Sequence, residues 1–313
     1  MKAPVPRNEA ERILALHSMA ILDTAPESDF DDIVRIASEI CGAENSLVTL
    51  VDTDRQWFKA KVGDVPFAQT REASFCAHAI MGRDLLVVPD ATVDARFADN
   101  PNVLGDDGVR FYAGAPLATS EGAALGTLCV VDHAPHRLNL EQLRALRALA
   151  HQVTELLELR RLIVTEQLDV RLERTVDLAY LADDRIRDLR RIAEARGMCI
   201  TLMLEHRAPV RADPPKLSRA LDYVMFTALK VSPPGGQLGI RVLDEPAPTI
   251  ELTHGGGSIT ADWYLELAGL RHSDDPVPRA VAEILRAHGL AVICTPTVAG
   301  SPGIMVELRF PAV

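Results

Sequence analysis

A thiol and an imidazole lie two residues apart in the run SFCAHAIM. A thiol near an imidazole ionises more easily than an isolated thiol, so Cys76 and His78 are candidates for a ligand-binding or redox pair. Packing is the alternative, because residues two apart on a helix point in different directions. Four further side chains could form a pocket wall closed by a cationic donor, or pack in the core and loops: Trp57, Phe97, Arg110 and Tyr112.

Two isolated histidines are further candidates. His151 is the only histidine between Asn139 and Arg196, where it is a weak candidate for phosphorylation or simply a polar residue beside an apolar helical seam. His254 precedes three glycines, a combination found in metal or phosphate sites and also in ordinary turns. No pair of cysteines has metal-ligand spacing, and we predict no metal site.

Charge and cysteine usage restrict the function. The 313 residues carry a net charge of −11, which argues against broad binding to nucleic acid or to anionic membranes. Five scattered cysteines favour buried free thiols in a reducing compartment. The N-terminal segment lacks the apolar core of a signal peptide, and no apolar run approaches the length of a membrane span. We therefore predict a two-domain cytoplasmic protein.

The elements that position these residues are organised around the segment from Asn139 to Arg196, which contains neither proline nor glycine. Its apolar residues recur every three or four positions, the spacing of a helix with one buried face. A helical run of this length favours a helical hairpin, a dimeric coiled coil, or both in sequence. We expect it to connect the two halves of the chain.

The first half places helices before strands. Apolar periodicity predicts a helix from Asn8 to Leu22, with Asn8 as its cap, and a second helix that Gly42 ends. Apolar runs between polar turns predict strands and one short helix-like piece, which together give an α+β domain with a central sheet. The strands are Ser46–Asp52, Gln56–Val62, Leu85–Pro89, Val109–Leu117 and Leu125–Val131, and the short piece is Ser74–Met81.

This half resembles a bacterial GAF domain over about Asn8 to Arg160. The runs SLVTLVDTDRQWFKAKVG, SFCAHAIM, LLVVPDATVDARFADNP, VRFYAGAPL and LGTLCVVD carry the resemblance. GAF domains are sensory or dimerisation modules, and some bind cyclic nucleotides, tetrapyrroles, haem or other small molecules between the sheet and its covering loops. Relatives that carry bilins usually place cysteine and histidine next to each other, which this chain does not. The resemblance implies a pocket for an unknown small molecule, with Trp57, Cys76, His78, Phe97, Arg110 and Tyr112 as its candidate residues.

The second half resembles the ATP-binding domain of histidine kinases, the GHKL fold, from about Ala195 to Pro311. The runs GMCITLMLE, RADPPKLSRALDYVMFTALKVSPPGGQLGIRV, IELTHGGGSI and VAEILRAHGLAVICTPTVAGSPGIMVELRFP carry the resemblance. We expect a mixed sheet with helices on one face and a loop at Pro209–Pro215. The predicted helices are Lys216–Lys230 and Pro278–His288, and the predicted strands are Met198–Glu205, Gln237–Leu243, Thr249–Leu252, Ala291–Thr295 and Ile304–Arg309.

The same resemblance implies that the nucleotide site is degenerate. Thr227 replaces the asparagine that holds Mg²⁺, with Tyr223 one turn earlier, and a neutral hydroxyl is a poor ligand beside phosphate. Thr253 replaces the aspartate that recognises adenine. Ser273–Ala280, with its carboxylates and prolines, replaces the second glycine box. We therefore expect no binding of ATP or Mg²⁺. The remaining matched positions, which serve the fold as much as a nucleotide, are Lys230, Gly235–Gly236, Gly255 and Gly257.

The phosphoacceptor of histidine kinases is a histidine followed directly by an acid and, several residues on, by a proline. The segment HQVTE at His151 has neither feature, and its place matches the closing helix of the GAF domain. His151 is therefore a weak phosphoacceptor candidate.

Together these features predict an α+β chain with a GAF domain at 1–150, a helical connector of hairpin or coiled-coil type at 151–196, and a degenerate GHKL-like α/β sandwich at 197–313. The expected function is signal relay of two-component type by a homodimer that binds a kinase or response regulator without catalysis. We expect no contact with nucleic acid or membrane. Three alternatives stay open: a divergent active histidine kinase, a histidine phosphotransferase, and a redox enzyme that uses Cys76, Cys41 or Cys129.

Overall fold

The computed structural model describes residues 3–64, 68–165, 169–172, 174–204, 207–255, 263, 266–268, 271, 273–296 and 303–311. The chain divides into two units, Met1–Glu158 and Leu159–Val313. Each unit combines helices with a sheet, so the predicted α+β class is confirmed. Within the described ranges, no helix combines the length and the apolar character needed to cross a bilayer.

The first unit is built on a six-stranded sheet in the order β3-β2-β1-β6-β5-β4, with every neighbouring pair antiparallel. All predicted strands of this half are present, and β3 is an additional one. The helices are α1 Glu9–Ser18, α2 Ser28–Cys41, α3 Phe75–Ala79 and α4 Leu140–Val164, and the strands are β1 Asn45–Val51, β2 Arg55–Val62, β3 Ala68–Thr70, β4 Leu86–Val88, β5 Phe111–Ala118 and β6 Ala124–Asp132.

Helix α2 and strand β1 form the centre of this unit. The apolar residues of α2 recur at helical spacing, and Phe30, Ile33 and Ala37 are fully buried where the helix packs on β1 and β2. Every residue of β1 is buried, as expected of a strand covered on both faces. Gly42 ends α2 in the left-handed conformation, as predicted, with φ of +62°. Asn8 occupies the N-cap position of α1 as predicted, and its carbonyl oxygen accepts a hydrogen bond from the amide of Arg12, but its side chain makes no capping hydrogen bond.

The second unit is built on a five-stranded mixed sheet in the order β12-β13-β11-β10-β8, in which only the pair β8–β10 is parallel. Helices α5, α6 and α7 accompany it, and α6 packs against both α5 and α7. The helices are α5 Leu178–Ala195, α6 Pro214–Val231 and α7 Pro276–Ala287, and the strands are β7 Arg174–Asp177, β8 Cys199–Leu204, β9 Pro209–Ala212, β10 Gln237–Leu243, β11 Thr249–Gly255, β12 Ala291–Pro296 and β13 Gly303–Arg309.

The predicted helical run from Asn139 to Arg196 is not continuous. Helix α4 ends at Val164, and β7 pairs with β9 in a two-stranded antiparallel sheet. The β-branched residues Thr175 and Val176 suit a strand once a partner is present, and Asp177 then caps α5 by accepting a hydrogen bond from the amide of Ala179. Because α5 packs on α6 and β8, it belongs to the fold of the second unit.

The same pairing explains a second error. The segment Pro209–Pro215 was expected to be a loop, yet it contains β9 and the first residues of α6. Asp213 separates the two elements and caps α6 by accepting a hydrogen bond from the amide of Lys216. A four-residue strand with prolines nearby gives no signal of its own, because its stability comes from pairing with a segment more than thirty residues away.

Candidate functional site

The first unit contains a cavity of about 490 Å³ on one face of its sheet. Its floor is apolar and buried, with Leu47 on β1, Phe58 on β2 and Phe75 on α3. Its rim is formed by the segment 101–109, which joins β4 to β5 along the chain and includes exposed residues such as Leu104. A buried floor and an exposed rim make the cavity accessible from solvent.

Two thiols meet at the floor of this cavity. Cys76 lies on α3 and Cys129 on β6, and their Sγ atoms are 3.8 Å apart. Both residues are buried and both line the cavity. The hydroxyl of Tyr112 and the side-chain Nε2 of Gln56 each lie 3.3 Å from the Cys76 Sγ and donate to it. The result is a sulfur atom at the centre of converging donors.

Hydrogen bonds give the two thiols different pKa values. Burial raises the pKa of a thiol, but at Cys76 hydrogen bonds outweigh that effect and lower the pKa to about 6. The donors, in order of decreasing effect, are Cys129, Thr127, Thr49 and Tyr112. The pKa of Cys129 is raised well above its usual range by the hydrogen bond to Cys76 and by burial. The hydrogen bonds therefore favour a thiolate at Cys76 over a thiolate at Cys129.

A chain of amides connects Cys76 to the rim. The Oε1 of Gln56 accepts a hydrogen bond from Gln69 at 3.0 Å and another from Ser74. The Oε1 of Gln69 in turn accepts one from Asn102, which lies in the rim segment, at 3.1 Å. Because each amide is fixed by the next, a change at the sulfur can be transmitted to the rim.

The rim is strongly acidic. Asp64, Asp106 and Asp107 line the cavity and are exposed, and His133 lies beside them. Like charges this close together produce a negative potential at the entrance. Neutral or cationic molecules can enter more readily than anions.

The six predicted pocket residues fall in different places. Cys76 and Tyr112 line the cavity, and Arg110 holds its rim by donating to the carbonyl oxygens of Val103 at 2.7 Å and Gly105 at 2.6 Å. The remaining three lie elsewhere. Phe97 is buried and stacks on Phe75, His78 packs edge-on against Phe97, and Trp57 lies in a separate depression beside Lys59.

The pleat of β2 explains why Trp57 was misplaced. Successive side chains of a strand point to opposite faces, so Gln56 and Phe58 face the cavity and Trp57 does not. Sequence reasoning missed Gln56, Asn102 and Cys129 as cavity residues. The alternation of Gln56 with Trp57 and Phe58 along the predicted strand was an available signal, whereas the approach of Cys129 to Cys76 depends on the folded sheet.

In the second unit, two of the predicted nucleotide positions on α6 are buried. The side chains of Tyr223 and Thr227 are 3% and 2% exposed. The hydroxyl of Tyr223 accepts a hydrogen bond from Trp263 Nε1 at 3.3 Å. The Oγ1 of Thr227 is buried without a hydrogen-bond partner in the described part of the chain. Lys230, in the last turn of the same helix, is half-buried.

Strand β11 places Thr253 and His254 on opposite faces of the second sheet. Its buried side chains alternate, with Leu252 and His254 on the face that packs on α6 and Thr253 on the opposite face. The residue that faces α6 at the end of this strand is therefore His254, and burial lowers its pKa. Gly255 ends the strand and is exposed. Gly257 lies outside the described residues.

Two other predicted features can be placed. The segment Ser273–Ala280 is helical from Pro276, where α7 begins. His151 lies in α4, and its Nε2 is 3.7 Å from the Oε1 of Glu155, with 40% of its side chain exposed. Cys41 is buried as expected, whereas Cys199 and Cys294 are exposed, which corrects the expectation that the thiols are buried. In the described part of the chain, no group of three or more metal-ligating side chains comes together.

Comparison with known proteins agrees with the first-unit geometry. The GAF domain family matches residues 25–157. A cyclic di-GMP phosphodiesterase of Pseudomonas aeruginosa is 35% identical over 251 residues, which are 74% of this chain. The chain spans 41% of the length of that relative.

Solved structures are similar to part of the chain at low identity. A mycobacterial sensor histidine kinase, MprB, is 22% identical and matches 45% of this chain and 99% of its own, with a TM-score of 0.36. The cytoplasmic segment of the histidine kinase QseC is 16% identical and matches 53% of this chain and 94% of its own, with a TM-score of 0.40. The comparisons thus identify residues 25–157 of this chain as a GAF domain.

Proposed function

We propose that the chain is a cytoplasmic signal-transduction protein of two-component type, in which the GAF cavity receives a signal and the second unit acts by binding a protein. In this proposal the second unit is an ATPase-like domain that no longer uses ATP. One observation carries the proposal: Tyr223 and Thr227, at the positions where a kinase of this type holds Mg²⁺, are almost completely buried.

The chemistry of the α6–β11 region supports this proposal. Mg²⁺ beside a triphosphate needs several oxygen ligands in octahedral geometry, usually including a carboxylate or amide oxygen and waters. The α6 positions offer two hydroxyls, of which Tyr223 is bonded to Trp263. At the end of β11 stands His254, whose lowered pKa keeps it neutral at pH 7, instead of a carboxylate.

The cavity of the first unit supports the sensory part of the proposal. Its volume suits a small molecule, and its floor combines apolar walls with a few fixed polar groups. The acidic rim favours a neutral or cationic ligand over an anionic one. The activity named for the Pseudomonas relative forms no part of the proposal.

A homodimer formed through helical segments is a further part of the proposal, since a relay between a sensor and a partner protein needs an element with two packings. Sedimentation of the full chain at micromolar concentration tests it. A dimer is the expected result, and a monomer would remove the mechanical basis of the relay.

Incubation of the full chain with labelled ATP and Mg²⁺ tests the absence of kinase activity. We expect no incorporated label. The divergent-kinase alternative predicts an acid-labile label, and loss of that label in the His151→Ala variant would establish His151 as the phosphoacceptor. A histidine phosphotransferase would instead take label from a phosphorylated response regulator.

A further inference from the structure

The paired sulfur atoms at the cavity floor have a chemical use of their own. We propose that Cys76 and Cys129 are a redox pair, which a small neutral hydroperoxide entering the GAF cavity oxidises to a disulfide. The oxidation acts as a signal only if the cavity has the proposed sensory role, so this inference rests on the proposed function and adds the chemical class of the stimulus. The oxidation itself is measured directly on the two thiols.

The geometry brings the two residues to reacting distance. A disulfide bond is about 2.05 Å long, so the Sγ atoms, now 3.8 Å apart, must approach by less than 2 Å. Cys129 is fixed in a central strand of the sheet, between β1 and β5. Cys76 lies in a five-residue helix capped by Ser74. Helix α3 is therefore the element that moves.

The cavity selects the oxidant. Its floor reaches both sulfur atoms, while its rim carries Asp64, Asp106 and Asp107. Glutathione disulfide is large and anionic, so the rim repels it, whereas hydrogen peroxide is small and uncharged. A metal ion is a poorer candidate, because no group of three or more metal-ligating side chains occurs in the described part of the chain.

The reaction is balanced with the peroxide as the only oxidant. The Cys76 thiolate attacks one peroxide oxygen, the O–O bond breaks, and the leaving hydroxide takes a proton and departs as water, which leaves a sulfenic acid on Cys76. The Cys129 sulfur then attacks the Cys76 sulfur, the S–O bond breaks, and the Cys129 proton leaves with the hydroxide as a second water. Both thiols lose their hydrogens, and the peroxide is reduced by two electrons.

The environment assigns these roles. Cys76 accepts hydrogen bonds from Tyr112 and Gln56, which stabilise a thiolate, while Cys129 supplies the proton that leaves with the hydroxide when its sulfur attacks Cys76. Once Cys76 is in a disulfide, it no longer carries the charge that holds these donors. Gln56 is then free to shift, and Gln69 and Asn102 carry the change to the rim.

The remaining cysteines provide internal controls. Burial raises the pKa of the Cys41 thiol to about 12 and of the Cys294 thiol to about 11, so both stay protonated at neutral pH. Cys199 and Cys294 are exposed residues, although the Cys294 thiol itself is partly buried. If solvent exposure alone decided reactivity, peroxide would oxidise Cys199 and Cys294 first. The proposal predicts instead that peroxide oxidises Cys76 and Cys129 first.

The test is peptide mapping by mass spectrometry of the full chain after treatment with hydrogen peroxide and alkylation of free thiols. The expected product is a peptide pair joined through Cys76 and Cys129, formed before Cys199 or Cys294 is modified. Glutathione disulfide is expected to form this product far more slowly. In Cys129→Ser, dimedone should trap a sulfenic acid on Cys76.

A double variant, Cys199→Ser with Cys294→Ser, keeps the pair and removes the exposed thiols, so its crosslink should form as in the unmodified chain. The proposal is overturned if Cys76 and Cys129 remain free thiols while Cys199 and Cys294 are oxidised. It is also overturned if glutathione disulfide works as fast as peroxide. Neither result depends on nucleotide binding by the second unit, so a failure here is distinguishable from a failure of the proposed function.

Discussion

The cavity of the first unit lies on one face of its sheet, where α3 and the segment 101–109 line it, whereas the described residues of α6 and β11 in the second unit pack against each other. In the first unit, small and polar side chains such as Cys76, Cys129 and Gln56 leave space. In the second, Tyr223 and Thr227 are buried and Trp263 bonds to Tyr223. The side chains that cover a sheet therefore decide how much of its face is left open to a ligand.

A buried ion pair lies on the face of β2 opposite to the cavity. Lys59 Nζ lies 2.6 Å from Glu27 Oε1, and the Lys59 side chain is fully buried. Lys59→Met leaves the Glu27 carboxylate buried without this cation, so we expect a loss of about 3 kcal/mol in the free energy of unfolding. Urea denaturation measures it.

The matched control is Arg35→Met, which removes an exposed partner of Asp32. Its expected effect is below ~1 kcal/mol. Equal losses in the two variants would show that burial of the Lys59 pair has no special role.

At Thr227 on α6 we expect a substitution to raise the free energy of unfolding, in contrast to Lys59→Met. Thr227→Val removes a buried hydroxyl that has no hydrogen-bond partner in the described part of the chain, so the free energy of unfolding should rise by about 1 kcal/mol. Thr201→Val, on the exposed side of β8, serves as the control and should change stability by less than ~0.5 kcal/mol. Destabilisation by Thr227→Val would indicate that its hydroxyl is used.

In the cavity of the first unit, we expect the pH dependence of Cys76 alkylation to change when a hydrogen-bond donor to its sulfur is removed. Alkylation of Cys76 should increase as the pH rises through about 6, because the thiolate is the nucleophile. Tyr112→Phe removes a donor to the Cys76 sulfur, so the midpoint should move to higher pH. Tyr180→Phe changes an exposed phenol and should leave the midpoint where it is. Peptide mapping after timed alkylation gives the midpoints, and an unchanged midpoint in Tyr112→Phe would contradict the assignment of Cys76 as the thiolate.

The smallest expected effect concerns α1. Burial opposes ionisation of Glu9, but hydrogen bonds from Arg12 and Arg71 outweigh it and lower the pKa from 4.5 to about 2. A lowered carboxylate pKa stabilises the fold above the unfolded value of 4.5, and this contribution is lost as the pH falls from 4.5 towards 2. Glu9→Gln should flatten the pH dependence of stability in that window. Glu11→Gln, at an exposed site on the same helix, should leave the dependence as it was.

Local signals predicted much of the fold. The strand Gln237–Leu243 was placed at its observed ends, and Gly42 ends α2 as expected, because alternation and glycine conformation are properties of short segments. Strand β7 was missed because helical periodicity continued through Arg174–Asp177, and the pairing with β9 that overrides it is not local.

The candidate site was less predictable than the fold. Cys76 and Tyr112 were identified, but Cys129 joins them across 53 residues of chain. Trp57 was misplaced because it lies on the face of β2 opposite to the cavity, and adjacent side chains of a strand point to opposite faces. Strand alternation applied more strictly would have favoured Gln56.

Calorimetric titration of the full chain with ATP in the presence of Mg²⁺ tests the central proposal that the second unit does not bind ATP. The account predicts no saturable heat at millimolar ATP, and the same flat trace for Thr227→Val. Micromolar binding that requires Mg²⁺ would contradict it, because Tyr223 and Thr227 would then have to leave their buried positions to admit the nucleotide.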